Sequence, residues 1–252
     1  MIHRRFTVTS NDEYKEALSF LYSFVNYEIH SGWKYDNKHF NLDRFRKFLN
    51  MLENPHRGGR YVHVAGTNGK GSVCAMTAHA LTSAGFRTGL YTSPHLITFR
   101  ERIRVDGVLI TPDDVVRAVA RLKPATDAAD RLTFFEVWTG LALDYFKRSM
   151  TDYNVLEVGL GGRLDATNVV TPDLAVITSI SLDHTAKLGK NLVGIAREKA
   201  GIIKPGVPVV SSAQPPDILD VIEDRCNELG CPLTVVGRDV SVSYTHIRAH
   251  ET

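Results

Sequence analysis

The stretch Tyr61-Val62-His63-Val64-Ala65-Gly66-Thr67-Asn68-Gly69-Lys70-Gly71-Ser72 decides how this chain folds. Five residues with strand character run directly into glycines, a lysine and a hydroxyl, and a helical pattern follows over residues 72–84. A buried strand that turns into a helix through such a loop is the setting of a phosphate loop. Glycines let backbone N–H groups turn inward around phosphate oxygens, and the helix N-terminus adds positive potential. Thr67, Asn68, Gly69, Lys70, Gly71 and Ser72 are therefore the candidate nucleotide-binding residues, with Lys70 as the point charge toward the terminal phosphates and Ser72 beside a Mg²⁺ ion. Gly71 separates the lysine from the hydroxyl, so the pattern departs from G-x-x-x-x-G-K-[ST]. The plainer alternative is a glycine-rich strand–helix turn with a surface lysine.

Working outward, residues 12–29 carry Leu18, Leu21, Tyr22 and Val25 at helical spacing, with Asp12 as the expected N-cap. Residues 41–52 repeat that pattern, capped by Asn41 and broken by 54–59. Beyond the loop, apolar β-branched runs at 87–92, 153–158, 174–180, 207–211 and 233–236 read as strands. Residues 113–122, 135–148 and 218–229 read as helices. Strands alternating with helices predict an α/β fold, a P-loop-type mainly parallel sheet with helices on both faces.

Composition is compatible with that. The chain has 252 residues, 43% of them apolar, and a formal net charge of +2. It is too apolar to be disordered, and its charge is too balanced for a nucleic-acid footprint or an anionic membrane surface. No apolar run has membrane-spanning length, and the first residues lack the apolar core of a signal peptide, so a cytoplasmic location is expected; a monomer is expected as well. Cys74, Cys226 and Cys231 are odd in number and lack metal-ligand spacing; they read as reduced thiols.

Several further residues lie where such a sheet presents ligands. Glu157 ends an apolar strand, at the crevice edge of an open parallel sheet, and a carboxylate there suits Mg²⁺; a cap or ion pair is the plainer role. Gly159-x-Gly161-Gly162 is followed by Arg-Leu-Asp-Ala-Thr-Asn, a polar loop, which argues against a dinucleotide fingerprint. Phe135 can stack on a flat heterocycle or serve as a core residue at a helix start.

Taken together, Gly66-Thr67-Asn68-Gly69-Lys70-Gly71-Ser72, Thr92-Ser93-Pro94-His95-Leu96 running into Glu101-Arg102-Ile103-Arg104-Val105, Leu156 through Asn168, and Ser181-Leu182-Asp183-His184 with Glu198-Lys199-Ala200-Gly201-Ile202 resemble the Mur ligase superfamily, in its folylpolyglutamate synthase/dihydrofolate synthase branch. The resemblance covers roughly residues 12–238 and implies the N-terminal ATPase domain of that branch. It implies ATP and two Mg²⁺ sites, with Ser72, Ser93, Glu157, His184 and Lys199 as metal-site residues. Lys70, His184 and Lys199 would carry the catalysis, and Lys199 would be carbamylated. Ala186 stands where the family often has an acid. The implied pterin-side residues are Phe40, Phe135, Leu164, Asp165 and Ala166. The implied substrates are dihydropteroate or folate and L-glutamate, with no nucleic acid and no membrane. A Mur-type ligase for a cell-wall precursor, or a non-catalytic nucleotide-binding remnant, is the alternative.

The same resemblance divides the chain into a helical segment at 1–59, an ATP-binding domain at 60–240 and a tail at 241–252 that matches nothing in the family. That tail resembles translated read-through of a sequencing adapter. The glutamate-binding C-terminal domain of the family is not expected within the 252 residues.

Overall fold

The computed structural model describes residues 10–26, 40–129, 131–181 and 191–241. His184, with Leu182, Asp183 and Ala186, lies outside the described residues. So do the expected helical positions 27–29 and the tail from 242 onward.

An eight-stranded sheet in the order β4-β3-β2-β5-β1-β6-β7-β8 forms the centre. Its strands are β1 (Tyr61–Ala65), β2 (Thr88–Tyr91), β3 (Ile103–Val105), β4 (Val108–Leu109), β5 (Tyr153–Glu157), β6 (Leu174–Ile177), β7 (Val209–Ser211) and β8 (Leu233–Val235). The β2-β5-β1-β6-β7-β8 run is parallel, and β3 and β4 add an antiparallel edge. That edge is a tight hairpin at Asp106 (φ 51°) and Gly107 (φ 78°), the backbone a two-residue I′ turn demands.

The helices are α1 (Asn11–Tyr22), α2 (Leu42–Met51), α3 (Lys70–Ser83), α4 (Pro112–Ala128), α5 (Phe134–Arg148), α6 (Leu192–Ala200) and α7 (Pro216–Leu229). Alternation along the strands sorts the core. Val62, Val64, Leu90 and Val155 pack with Cys74 and Ala78 of α3. Their neighbours Tyr61, Tyr91 and Leu156 join Phe45, Phe48, Val137, Trp138 and Leu141 of α2 and α5. Ala65, Ala175 and Ile177 pack with Ile195 and Ala196 of α6 and Ile218 and Ile222 of α7. Side chains on successive strand residues point to opposite faces, so both faces are covered. The sheet is mainly parallel with helices on both faces, as the sequence pattern predicts.

The boundaries differ in instructive ways. α1 begins one residue before Asp12 because Ser10, not Asp12, is the N-cap. Its hydroxyl accepts from Glu13 N while Glu13 reaches back, a reciprocal capping box. α1 stops at Tyr22, and Val25 instead forms a parallel bridge with Thr133. α3 starts at Lys70, two residues earlier than the expected 72. α4 continues to Ala128 through Pro124, whereas the pattern suggested an end at 122. No helix among the described residues is long and apolar enough to cross a membrane.

Candidate active site

The C-terminal ends of β1, β2, β5 and β6 deliver their loops to one side of the sheet, and β1 lies between β5 and β6. In an open parallel sheet this is where ligands bind, outside the carboxyl ends of strands. Gly69 caps α3 at φ 82°, a left-handed conformation that glycine adopts without a Cβ penalty. Thr67 N donates to Ser179 O at 2.8 Å and Thr67 Oγ1 to Ser181 O at 3.1 Å, which ties the loop after β1 to the segment after β6. Lys70 Nζ donates to Thr67 O at 3.1 Å. Lys199, in α6, is buried and donates from Nζ to Gly66 O at 2.6 Å. Lys199 thus braces the start of the phosphate loop.

Glu157 ends β5 and is buried. Ser93 N donates to its Oε2 at 3.0 Å, and the carboxylate lies against Gly71, where an added Cβ would stand 3.5 Å from Oε2. Burial raises its pKa, opposed by the Ser93 N–H and by Lys70. A buried carboxylate with spare acceptor capacity calls for a cation. Ser93 stands beside it through that N–H and Gly71 brings the start of α3 against it, so the hydroxyls of Ser72 and Ser93 are hard-oxygen candidates of the kind Mg²⁺ takes. His184 lies outside the described residues.

The loop 95–98 is built differently. Glu101 accepts N–H groups from Leu96, Ile97 and Thr98 at 3.1, 2.9 and 2.7 Å. Those three donors lower its pKa to about 2, although the carboxylate is exposed. Arg102 is buried and donates from Nε to His95 Nδ1 at 3.0 Å.

Next to the phosphate loop is a cavity of about 320 Å³, whose walls include Phe40, Phe135, Leu164, Asp165, Ala166 and Ser93. Lys70 also lines it, and the same Lys70 lines a narrow recess with Gly66, Thr67, Gly161 and Lys199. Phe135 packs so closely on Gly159 that a Cβ there would stand 2.6 Å from the ring. The geometry refines one expectation. Asp165 faces inward, and its carboxylate takes four donors: Gly159 N (3.0 Å), Leu160 N (2.9 Å), Thr167 N (3.0 Å) and Thr167 Oγ1 (2.5 Å). With those acceptor positions filled, it shapes the glycine-rich turn from beneath. Thr167 Oγ1 in turn meets His63 Nε2 at 2.8 Å inside the sheet. Sequence reading assigned no role to the side chains of His63, Thr167, Glu101 and Glu136; the glutamates carry capping-box spacing, T-x-x-E at Thr98 and Thr133, that points to them.

Comparison with known proteins follows from this geometry. The family profile described as the Mur ligase middle domain matches residues 64–214. The chain belongs to the Mur ligase family. It is 42% identical over 205 residues to the folylpolyglutamate synthase of Lacticaseibacillus casei, covering 79% of this chain and 48% of that protein. It is 39% identical over 225 residues to the dihydrofolate synthase/folylpolyglutamate synthase of Bacillus subtilis (strain 168), covering 87% of this chain and 50% of the relative. The chain therefore spans about half the length of these curated relatives. A solved structure described as an FPGS–AMPPCP–folate complex superposes with a TM-score of 0.81 at 39% identity, over 89% of this chain and 54% of that one. Folylpolyglutamate synthase from Thermotoga maritima gives a TM-score of 0.79 at 39% identity, over 90% of this chain and 50% of that one. For a Mur ligase domain, a glycine-rich loop between β1 and α3 and a carboxylate at the end of β5 occupy the crevice side of the sheet.

Proposed function

We propose that this chain is the nucleotide- and pterin-binding part of an ATP-dependent ligase that adds L-glutamate to dihydropteroate, to a (tetrahydro)folate, or to both. The observation that carries the proposal is the double position of Lys70. It lines the polar recess beside the phosphate loop and also the apolar cavity bounded by Phe40, Phe135, Leu164 and Ala166. A lysine at the meeting point of two such spaces can neutralise charge where a terminal phosphate approaches a substrate carboxylate.

The proposed chemistry follows. The carboxylate oxygen attacks the γ-phosphorus of ATP, ADP leaves, and an acyl phosphate forms. The glutamate amine then attacks the acyl carbon, loses a proton, and expels phosphate as the amide forms. The protein's part is alignment and charge neutralisation. Backbone N–H groups of residues 69–72 at the α3 N-terminus hold the phosphates, while the Thr67 and Asn68 N–H groups tie the loop to Ser179 O. Phe135 offers a ring face to a flat heterocycle, and Asp165 fixes the turn at Gly159 and Leu160 on the cavity wall. Ser72, Ser93 and Glu157, with His184, would hold Mg²⁺, which supplies positive charge to the phosphate oxygens when bound. In the same proposal Lys199, as a neutral amine, adds to CO₂ and loses a proton to become a carbamate near those ligands.

The test is phosphate release by the purified relative-length protein with ATP, L-glutamate and either dihydropteroate or tetrahydrofolate. A UDP-muramyl acceptor serves as the competing substrate. Release that needs both the pterin and glutamate, and is lost in Lys70→Ala, is the expected result. Release with the muramyl acceptor alone overturns the folate assignment. Nucleotide binding without glutamate-dependent release supports the non-catalytic alternative.

A further inference from the structure

The opposite end of β1 carries a second concavity. It lies between α2, the 54–59 loop and the segment leading into β6, at the N-terminal ends of the parallel strands, and its volume is about 440 Å³. Its walls bring together Arg46 and Asn50 from α2, Asn54, His56 and Arg57 from the loop, and Thr171 ahead of β6. We propose that this concavity is a second anion site, built for a compact dianion of the phosphate class and separate from the loop at 66–72.

Four observations support the site. Arg57 is exposed, lines the cavity and has no acidic partner among the described residues. Arg46 holds Asp43 at 2.9 Å, but both side chains are largely exposed, so water screens the pair and leaves guanidinium donors for a ligand. His56 Nδ1 is buried and has no hydrogen-bond partner among the described residues. That nitrogen is closed to water, so a ligand meets it only if the ring turns, and an unmet buried nitrogen favours such a turn. The fourth observation is electrostatic. Burial lowers the His56 pKa to about 4, and the charged groups that act on it are Arg57, Arg46 and Lys147, all cations. Three positive charges around one imidazole, with no carboxylate acting on it, make a positive hollow.

The chemistry selects the ligand class. Two guanidinium groups give forked N–H donors that match phosphate oxygens. Asn50 and Asn54 share one bond, Asn54 Nδ2 to Asn50 Oδ1 at 2.9 Å, which leaves the Asn50 amide protons free to donate. Thr171, another lining residue, carries a hydroxyl that can donate. An apolar ligand would gain nothing from such walls, and a cation would be repelled.

The experiment is an ¹⁵N and imidazole NMR titration of this chain at pH 7 with inorganic phosphate, in parallel with glycerol phosphate, succinate and chloride at matched ionic strength. The expected result is a saturable shift at Gly58, Gly59 and His56 with both phosphate probes. That response persists in Lys70→Ala, which removes the competing loop site. It weakens about tenfold or more in Arg57→Ala, as befits loss of a charged hydrogen bond, and less in Arg57→Lys. Equal potency of inorganic phosphate and glycerol phosphate identifies the free-anion end of the class, and stronger binding of the ester identifies a phosphomonoester. Unchanged amide shifts along β1 show that each variant is folded, since Arg46 and Arg57 are exposed. A linear response, an equal response to chloride or succinate, or a response untouched in both Arg57→Ala and Arg46→Ala overturns the proposal.

Discussion

Asp165→Asn tests the internal logic of the glycine-rich turn. The native carboxylate accepts four donors, two on each oxygen. An asparagine presents one oxygen and one NH₂, so two of the four donors must face a donor. If the NH₂ faces Gly159 and Leu160, two buried backbone N–H groups lose their acceptor. If it faces Thr167, the hydroxyl can turn to accept, which leaves one orphaned N–H and disturbs the contact with His63. The side chain settles in the cheaper orientation, with one orphaned buried donor, so the substitution costs roughly 1–3 kcal/mol. For a chain of this size that lowers Tm by roughly 2–12 °C, at about 2–4 °C per kcal/mol. Calorimetry reads the total, and amide hydrogen exchange at Gly159 and Leu160 locates it. A Tm within about 2 °C of the native value, with exchange at those two amides as slow as before, would refute the bracket.

Three further outcomes are expected. Acid sensitivity should carry a signature of His63, whose pKa burial lowers to about 3. The unfolded chain binds this proton more readily, so the stabilisation is complete above the ordinary histidine pKa near 6.5 and is lost as pH falls toward 3. Between pH 7 and 5 this histidine alone contributes about 2 kcal/mol of loss, and His63→Gln should remove that share of the pH dependence in urea titrations. Gly159→Ala should drive the Phe135 ring out of position, costing about 1–3 kcal/mol by overpacking and weakening pterin binding; an unaltered pterin affinity measured by fluorescence would count against Phe135 as a stacking face. Lys199→Met removes the donor to Gly66 O and should reduce ATP-analogue affinity with little change in α6 itself, because Ile195, Ala196 and Ala200 keep that helix packed; calorimetric titration decides it.

Much of this architecture was legible because local signals and burial agree. The β1 strand, the glycine loop and α3 announce themselves in twelve consecutive residues, and β1 falls on 61–65 as its apolar run requires. Asn41 caps α2 with its own side chain, so that boundary was legible too. The β3–β4 hairpin escaped although Asp106-Gly107 is a strong turn signal, because its strands are only three and two residues long. The end of α4 escaped because Pro124 argues for a stop. Ala125 and Thr126 are nonetheless buried, and packing overrides the breaker. The place of Glu157 at the end of β5 was legible from the apolar run before it. The inward aim of Asp165 was not, because a polar loop residue gives no sign of whether its carboxylate faces a ligand or its own backbone.

The Glu101 bracket has a consequence for how the 95–98 loop behaves as a unit. All its partners lie within five residues, so the sheet contributes nothing to that set of bonds. Those bonds are short-range, and the loop is moored to the body at its two flanks, where buried Arg102 holds His95 and buried Phe99 packs on Trp138. Leu96 and Ile97, at 91% and 93% exposure, are carried outward between those moorings like a pair of fingertips, their N–H groups held by one neighbouring acid.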